Sequence, residues 1–315
     1  MRVLIAGATG VIGRPLVNRL LAAGHDVAGL TRSETSAQRL RDWGAEPFSA
    51  DVFDQASVIA ACAAAQPEVL VAQLTALPAA INLRNYARDL EPTNRLRQLA
   101  TPNLIAGARA AGAGRIVVQS ISFITAPEGP VIHDETARPY DDAPSAMRPA
   151  VAVAVEMERE VLAAADLDPV VLRYGFFYGP GTHYDSDGSI ITEIRRRRFP
   201  IVGRGTGISS FVHIDDAAGA TVTALEGGAS GLYNVTDDEP APMHEWVPFV
   251  AGVLGAKPPR HIPVFVARLA TGPHVVHFAT TLRGNSNARF KRIFNWTPEH
   301  PSWREGFQTT LSRPG

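Results

Sequence analysis

Three glycines, Gly7, Gly10 and Gly13, stand between the apolar run Val3-Leu4-Ile5-Ala6 and a segment with Leu16, Val17, Leu20 and Leu21 on one helical stripe. That order is a strand, a tight turn and a helix. The first glycine makes the turn, the second lets backbone approach a pyrophosphate, and the third lets the helix pack on the strand. A helix N-terminus there offers unpaired N–H groups and a partial positive charge to phosphate. Gly7, Thr9, Gly10, Val11, Ile12 and Gly13 are therefore expected to hold a dinucleotide. The next strand ends in Leu30-Thr31-Arg32-Ser33, with no acid at its tip. An acid would grip a ribose 2′-hydroxyl, whereas an arginine accommodates a 2′-phosphate. Thr31, Arg32 and Ser33 thus favour NADP(H), and NAD(H) stays open because Glu34 could reach a ribose.

Positioning that loop requires alternating strands and helices, and the first half of the chain reads that way. Strands are expected at residues 25–31, 46–50, 69–72, 115–119 and 169–173, after the first. Helices are expected at 14–23, 36–43, 94–111 and 152–165. Right-handed crossovers would stack the strands into a doubly wound parallel Rossmann sheet, an α/β fold. Beyond Tyr174 the texture changes to Gly/Pro-rich loops, short helices and isolated strands. The expected division is a dinucleotide-binding domain over 1–175 and a smaller α/β substrate lobe over 176–315, with 211–236 able to return to the main sheet.

Composition narrows the function. The chain has 315 residues, 45% hydrophobic and 19% charged, with a net charge of −1. It can bury a large core, and nothing in its charge invites nucleic acid or an anionic membrane. Cys62 is the lone cysteine, so no disulfide and no cysteine-based metal set exists within the chain, and no metal is expected. Apolar runs are short, and Met1-Arg2 leads directly into a strand, so a cytoplasmic protein is expected. Of 30 basic residues only Lys257 and Lys291 are lysines.

Taken in order, these segments resemble the extended short-chain dehydrogenase/reductase family of NAD(P)-dependent epimerases and dehydratases. The resemblance is carried by Gly7-x-x-Gly10-x-x-Gly13, Asp51-Val52-Phe53-Asp54, Asn94 and Gln119-Ser120-Ile121-Ser122. It continues through 172–180, Phe211-Val212-His213-Ile214-Asp215-Asp216 and Asn295-Trp296-Thr297-Pro298. It implies that Asp51 and Val52 flank the adenine, that Leu74, Thr75 and Ala76 run along the cofactor, and that Gly175 and Phe176 lie near the nicotinamide. Ser122 falls where the family keeps a catalytic Ser or Thr. The family's Tyr and the Lys four residues later belong on the helix carrying Glu158, where this chain has Ala150 and Ala154. No tyrosine in the chain has a lysine four residues on.

A proton must then come from elsewhere, or the chemistry must need none. Tyr178, on the expected loop after the sixth strand, sits where α/β sheets place ligands. His183 and Tyr184 follow in a Gly/Asp/Ser-rich loop able to close over a substrate. Glu156 and Glu158 read as a solvated face and Arg195 to Arg198 as a solvated helix end. His213 with Asp215 could act as a base and its orienting carboxylate, against a purely architectural role in which Asp215 or Asp216 caps the next helix. Sugar-nucleotide enzymes of the family usually carry an Arg where this chain has Ser209 and Ser210, which argues against a nucleotide sugar. The expected activity is hydride transfer between NADP(H) and a carbonyl, alcohol or enone of a small metabolite. An epimerase or dehydratase with transient cofactor redox, or a non-catalytic NADP(H)-binding regulator, are the alternatives. A homodimer is implied by the resemblance alone.

Overall fold

The computed structural model describes residues 1–311. Strands β1 (Arg2–Ala6), β2 (Asp26–Thr31), β3 (Glu46–Ser49) and β4 (Val69–Ala72) alternate with helices α1 (Gly13–Ala22), α2 (Glu34–Asp42) and α3 (Gln55–Ala65). Helices α4 (Tyr86–Arg95) and α5 (Thr101–Ala110) lead to β5 (Arg115–Ile121). Then come β6 (Ile132–His133), α6 (Arg148–Ala163), β7 (Pro169–Tyr174) and β8 (Phe176–Tyr178). The rest comprises α7 (Ser189–Arg195), β9 (Ile201–Val202), β10 (Ile208–Ser209), β11 (Phe211–His213), α8 (Ile214–Glu226) and β12 (Gly231–Val235). Last are β13 (Ala241–Pro242), α9 (Met243–Val253), β14 (His261–Ile262), α10 (Val264–Thr271), α11 (Pro273–Thr280), β15 (Gly284–Asn285), α12 (Ala288–Phe294) and α13 (Trp303–Leu311).

Seven strands form one sheet in the order β12-β7-β5-β4-β1-β2-β3, and each neighbouring pair is parallel. Every residue of β4 and β7 is buried, as a strand covered by helices on both faces must be. One face packs α1 and α8 through Leu16, Val17, Leu20, Ala217 and Ala220. The other packs α3, α5 and α6 through Val58, Ala61, Leu104, Met157 and Val161. This is the doubly wound α/β fold. Chain from beyond residue 175 closes the sheet, because β12 pairs with β7 in register Gly231 to Val170 through Val235 to Tyr174. A separate core joins Tyr178, Phe211, Trp246, Trp303 and Phe307 in the second lobe. Among the described residues no helix is long and apolar enough to cross a membrane.

Two expectations about elements are corrected. The helix expected at 94–111 starts at Tyr86, with Pro92 inside it, and is interrupted by a widened π turn at Leu96–Ala100. Pro102 at the start of α5 has no N–H for the preceding turn, and the ladder opens just before it. Tyr178 lies on strand β8, paired with β11 at His213, rather than on a loop.

Candidate active site

Sheet order sets the site. The C-terminal ends of β7, β5, β4, β1, β2 and β3 lie side by side, so the segments after them form one continuous trough. Gly175 and Phe176 follow β7, Ser122 follows β5, and Leu74, Thr75 and Ala76 follow β4. The glycine loop follows β1, Thr31 ends β2 with Arg32 and Ser33 after it, and Asp51 and Val52 come after β3.

The glycine loop has the shape a pyrophosphate needs. Gly7 has φ +94°, and a β-carbon on it would stand 2.6 Å from the Gln73 carbonyl oxygen of the next strand's loop. On Gly13 a β-carbon would collide with the Ala8 carbonyl, so only glycine lets the start of α1 fold back this closely on the turn. No side chain caps α1, and no acid lies in its first turn. Its N–H groups are thus left to an external anion. Val11, at the rim, is 47% exposed. These features fit a dinucleotide phosphate.

At the other end of the trough Arg32 is 66% exposed, with a nitrogen 4.0 Å from Asp51. Ser33 caps α2 by accepting the Ser36 N–H at 3.2 Å, which leaves its hydroxyl proton for another acceptor. Val52 is buried and its carbonyl accepts from Asn103 at 2.9 Å. Ala76 donates its N–H to Thr93 at 3.0 Å.

Ser122 is buried, and its hydroxyl makes no hydrogen bond. Its backbone N–H donates to the Tyr174 carbonyl at 2.9 Å, which fixes it between β5 and β7. Beside it an aromatic cluster forms from five separate parts of the chain. Phe123 stacks on Phe176 at 4.4 Å with ring planes 5° apart, and Phe278 meets both edge-on. Tyr86 packs on Phe278 at 6.0 Å, and Tyr140 on His277 at 4.9 Å. Ala154 belongs to the same apolar cluster, with Tyr86, Tyr140 and Phe278 packed against it. Helix α6 therefore presents methyl groups, Ala150 and Ala154, where the resemblance places a phenol and an ammonium.

His277 is buried, with Nδ1 bonded to Thr281 at 2.8 Å and Nε2 without a partner. Burial depresses its pKa to about 4, so the ring is neutral. None of Phe123, Tyr86, Tyr140, His277 or Phe278 was anticipated. A signal existed in the spacing of His274, His277 and Phe278, one face of a helix, and in the position of Phe123 directly after Ser122.

The loop candidates divide. Gly181 approaches the glycine loop closely enough that a β-carbon on it would stand 3.8 Å from Val11. His183 is tied to Ser189 at 3.0 Å and to the backbone of Ala79, and burial lowers its pKa. The loop after β8 thus bridges the segments after β1 and β4. Tyr184 turns the other way, into Phe211, Trp246 and Phe307, and burial raises its pKa. Tyr178 is 0% exposed, packed on Phe307 at 4.7 Å and His213 at 5.1 Å, with its hydroxyl unpartnered beneath Gly306. Burial raises its pKa as well. The proton-donor roles expected for Tyr178 and Tyr184 are withdrawn, because both phenols are spent on the second lobe's core.

Glu158 is also not a solvated residue. Both its oxygens bind Arg173, at 2.8 and 2.5 Å, and one accepts from Ser120 at 2.5 Å, all buried. Ligand-type atoms of His213, Asp215 and His300 lie within 4.8 Å of one another, but His213 Nδ1 accepts the Asp215 N–H at 3.2 Å as the cap of α8.

Comparison with known proteins agrees with this architecture. Residues 3–236 match the model of the NAD dependent epimerase/dehydratase family. The chain is 45% identical over 311 residues to a 3-diazoavenalumate denitrifying reductase of a Streptomyces species, covering 97% of this chain and 99% of that one. The UDP-glucose 4-epimerase of Thermus thermophilus, solved in complex with NAD, superposes with a TM-score of 0.75 at 25% identity, covering 99% of this chain and 98% of that one. A human epimerase family protein solved with NADPH shares the fold across 100% of both chains, with a TM-score of 0.74 at 19% identity. A match running from the first strand of the sheet to its last supports one assignment: the chain is a nicotinamide-dependent enzyme belonging to the NAD dependent epimerase/dehydratase family.

Proposed function

We propose that the protein is an NADPH-dependent reductase that replaces the dinitrogen of a diazo carboxylate with hydrogen. The observation that carries this reading is that α6 offers the buried methyl groups of Ala150 and Ala154, and that the hydroxyl of Ser122 is buried without a partner. Carbonyl reduction leaves an alkoxide, and a tuned acid must protonate it. Displacement of dinitrogen from a diazonium carbon leaves no oxyanion. A dihydronicotinamide held by the glycine loop, Arg32 and Ser33 would supply the hydride. With the diazo group reacting as its diazonium form, C–N2+, a C–H bond would form, the C–N electron pair would leave with N2, and no proton would be consumed. Such a reaction tolerates the loss of the phenol and the ammonium together. The 45% identical relative, named for reductive removal of nitrogen from a diazo compound, points the same way over nearly its whole length.

Each residue then has a stated task. The glycine loop binds the pyrophosphate, Arg32 and Ser33 take the 2′-phosphate, and Asp51 and Val52 flank the adenine. Phe123 and Phe176 form an apolar wall for the aromatic part of the substrate, and Ser122 orients a polar substituent. His183 fastens the loop that excludes water. Ser210 accepts the Asn285 N–H at 2.8 Å and both Ser209 and Ser210 are buried, which leaves no cation there for a sugar diphosphate.

Two assays test the reading. In a thermal-shift titration of nucleotide-free protein, NADPH at 100 times its Kd should add about 2.7 kcal/mol, and NADH at the same concentration much less. NADPH oxidation is then followed with 3-diazoavenalumate and with a β-keto acid in parallel. Faster oxidation with the diazo compound, with one N2 released per NADPH, is the expected result. Turnover of the keto acid alone would make the protein a ketoreductase and end the diazo reading.

A further inference from the structure

Arg97 lies on the π turn between α4 and α5 and is 7% exposed. Among the described residues it forms no hydrogen bond and no ion pair. The buried carboxylate whose charge it feels, Glu158, is fully engaged by Arg173 and Ser120. Arg97, Arg173 and Glu158 together hold one net positive charge in a space largely closed to water. Burial draws the Arg97 pKa down to about 10, which still leaves it protonated at neutral pH. A buried guanidinium without a counter-charge is unfavourable, and a ligand anion is the natural way to complete it.

The surroundings indicate which anion. Arg97 interacts electrostatically with Tyr86. Tyr86 packs on His274 at 5.0 Å and on Phe278, and Phe278 closes against Phe123 and Phe176. The unpaired cation therefore adjoins the aromatic cluster beside Ser122. A guanidinium fork matches a carboxylate with two parallel hydrogen bonds. We propose that Arg97 binds the carboxylate of an aromatic carboxylate substrate whose ring lies against Phe123, Phe176 and Phe278; this extends the reductase reading by naming the group that anchors the substrate.

The test uses the whole protein saturated with NADP+, titrated calorimetrically with cinnamate and with cinnamide. Wild type should bind cinnamate about tenfold or more tightly than cinnamide, the difference expected of a charge-assisted pair. Arg97→Met should lose that difference, Arg97→Lys should keep part of it, and both should keep wild-type affinity for NADP+. Without ligand, Arg97→Met should melt no lower than wild type, because it removes a charge that nothing pairs. Equal binding of the two probes by wild type overturns the proposal. So does an Arg97→Met variant that retains the cinnamate preference, or one that loses NADP+ affinity instead. No turnover is involved, so a failure here is distinct from a failure to release N2 from a diazo substrate.

Discussion

Of the hydroxyls of Ser122, Tyr178 and Tyr184, the two phenols are packed into the second lobe's core, and only Ser122 stands next in the chain to the aromatic cluster, at Phe123. Tyr178→Phe should leave the rate of NADPH oxidation within about twofold of wild type. It should leave Tm unchanged or higher, because it deletes a buried hydroxyl that has no partner. Ser122→Ala should lower kcat/KM by about tenfold, the worth of one substrate hydrogen bond, with little change in Tm. An unchanged kcat/KM would remove Ser122 from the site. Arg32→Glu should lose the 2′-phosphate contact and weaken NADPH binding by about tenfold to a hundredfold, as read by fluorescence titration, with NADH binding affected far less. The glycine loop was legible in the sequence because its shape depends on neighbours a few residues away. Arg97 was not, since an arginine's lack of a partner is a property of the folded chain, and arginines are abundant here.

At the level of elements, the parallel strands announce themselves as short apolar runs because both of their faces are covered. Val69–Ala72, buried at every residue, falls where the sequence places it for that reason. The start of α4 was illegible, because Tyr86–Arg95 contains Pro92 and buries only Thr93 and Asn94. The two-residue strands of the second lobe carry no periodicity to read. Helix α6 is held to β7 by the buried pair of Glu158 and Arg173, both 5% exposed at the side chain. Glu158→Gln leaves a buried guanidinium without its counter-charge and should cost about 3–5 kcal/mol. The check is the denaturant midpoint at constant m, and a loss under 1 kcal/mol would mean the pair is dispensable.

Across the whole molecule the two halves of the site differ in how they are encoded. The cofactor half comes from loops that follow strands in a regular order, so a pattern in the sequence is enough to find it. The proposed substrate half is assembled from residues far apart in the chain, Tyr86, Phe123 and Tyr140 meeting His277 and Phe278 of the second lobe. That docking carries a pH dependence. His277 is held neutral with a pKa near 4 against an unfolded value of 6.5, so the unfolded chain binds more protons between those limits. Stability should therefore be fully present above pH 6.5 and fall by about 3 kcal/mol as pH drops towards 4. His274 and His183 act in the same direction. His277→Gln should flatten the profile of Tm against pH, and an unaltered profile would assign the loss to other groups. The central claim, hydride delivery to a carbon that loses dinitrogen with no acid required, is tested most directly with NADPH deuterated at C4 and 3-diazoavenalumate. The account predicts one N2 per NADPH oxidised and deuterium on the carbon that carried the nitrogen. NADPH oxidation without N2, or N2 release without deuterium in the product, would contradict it.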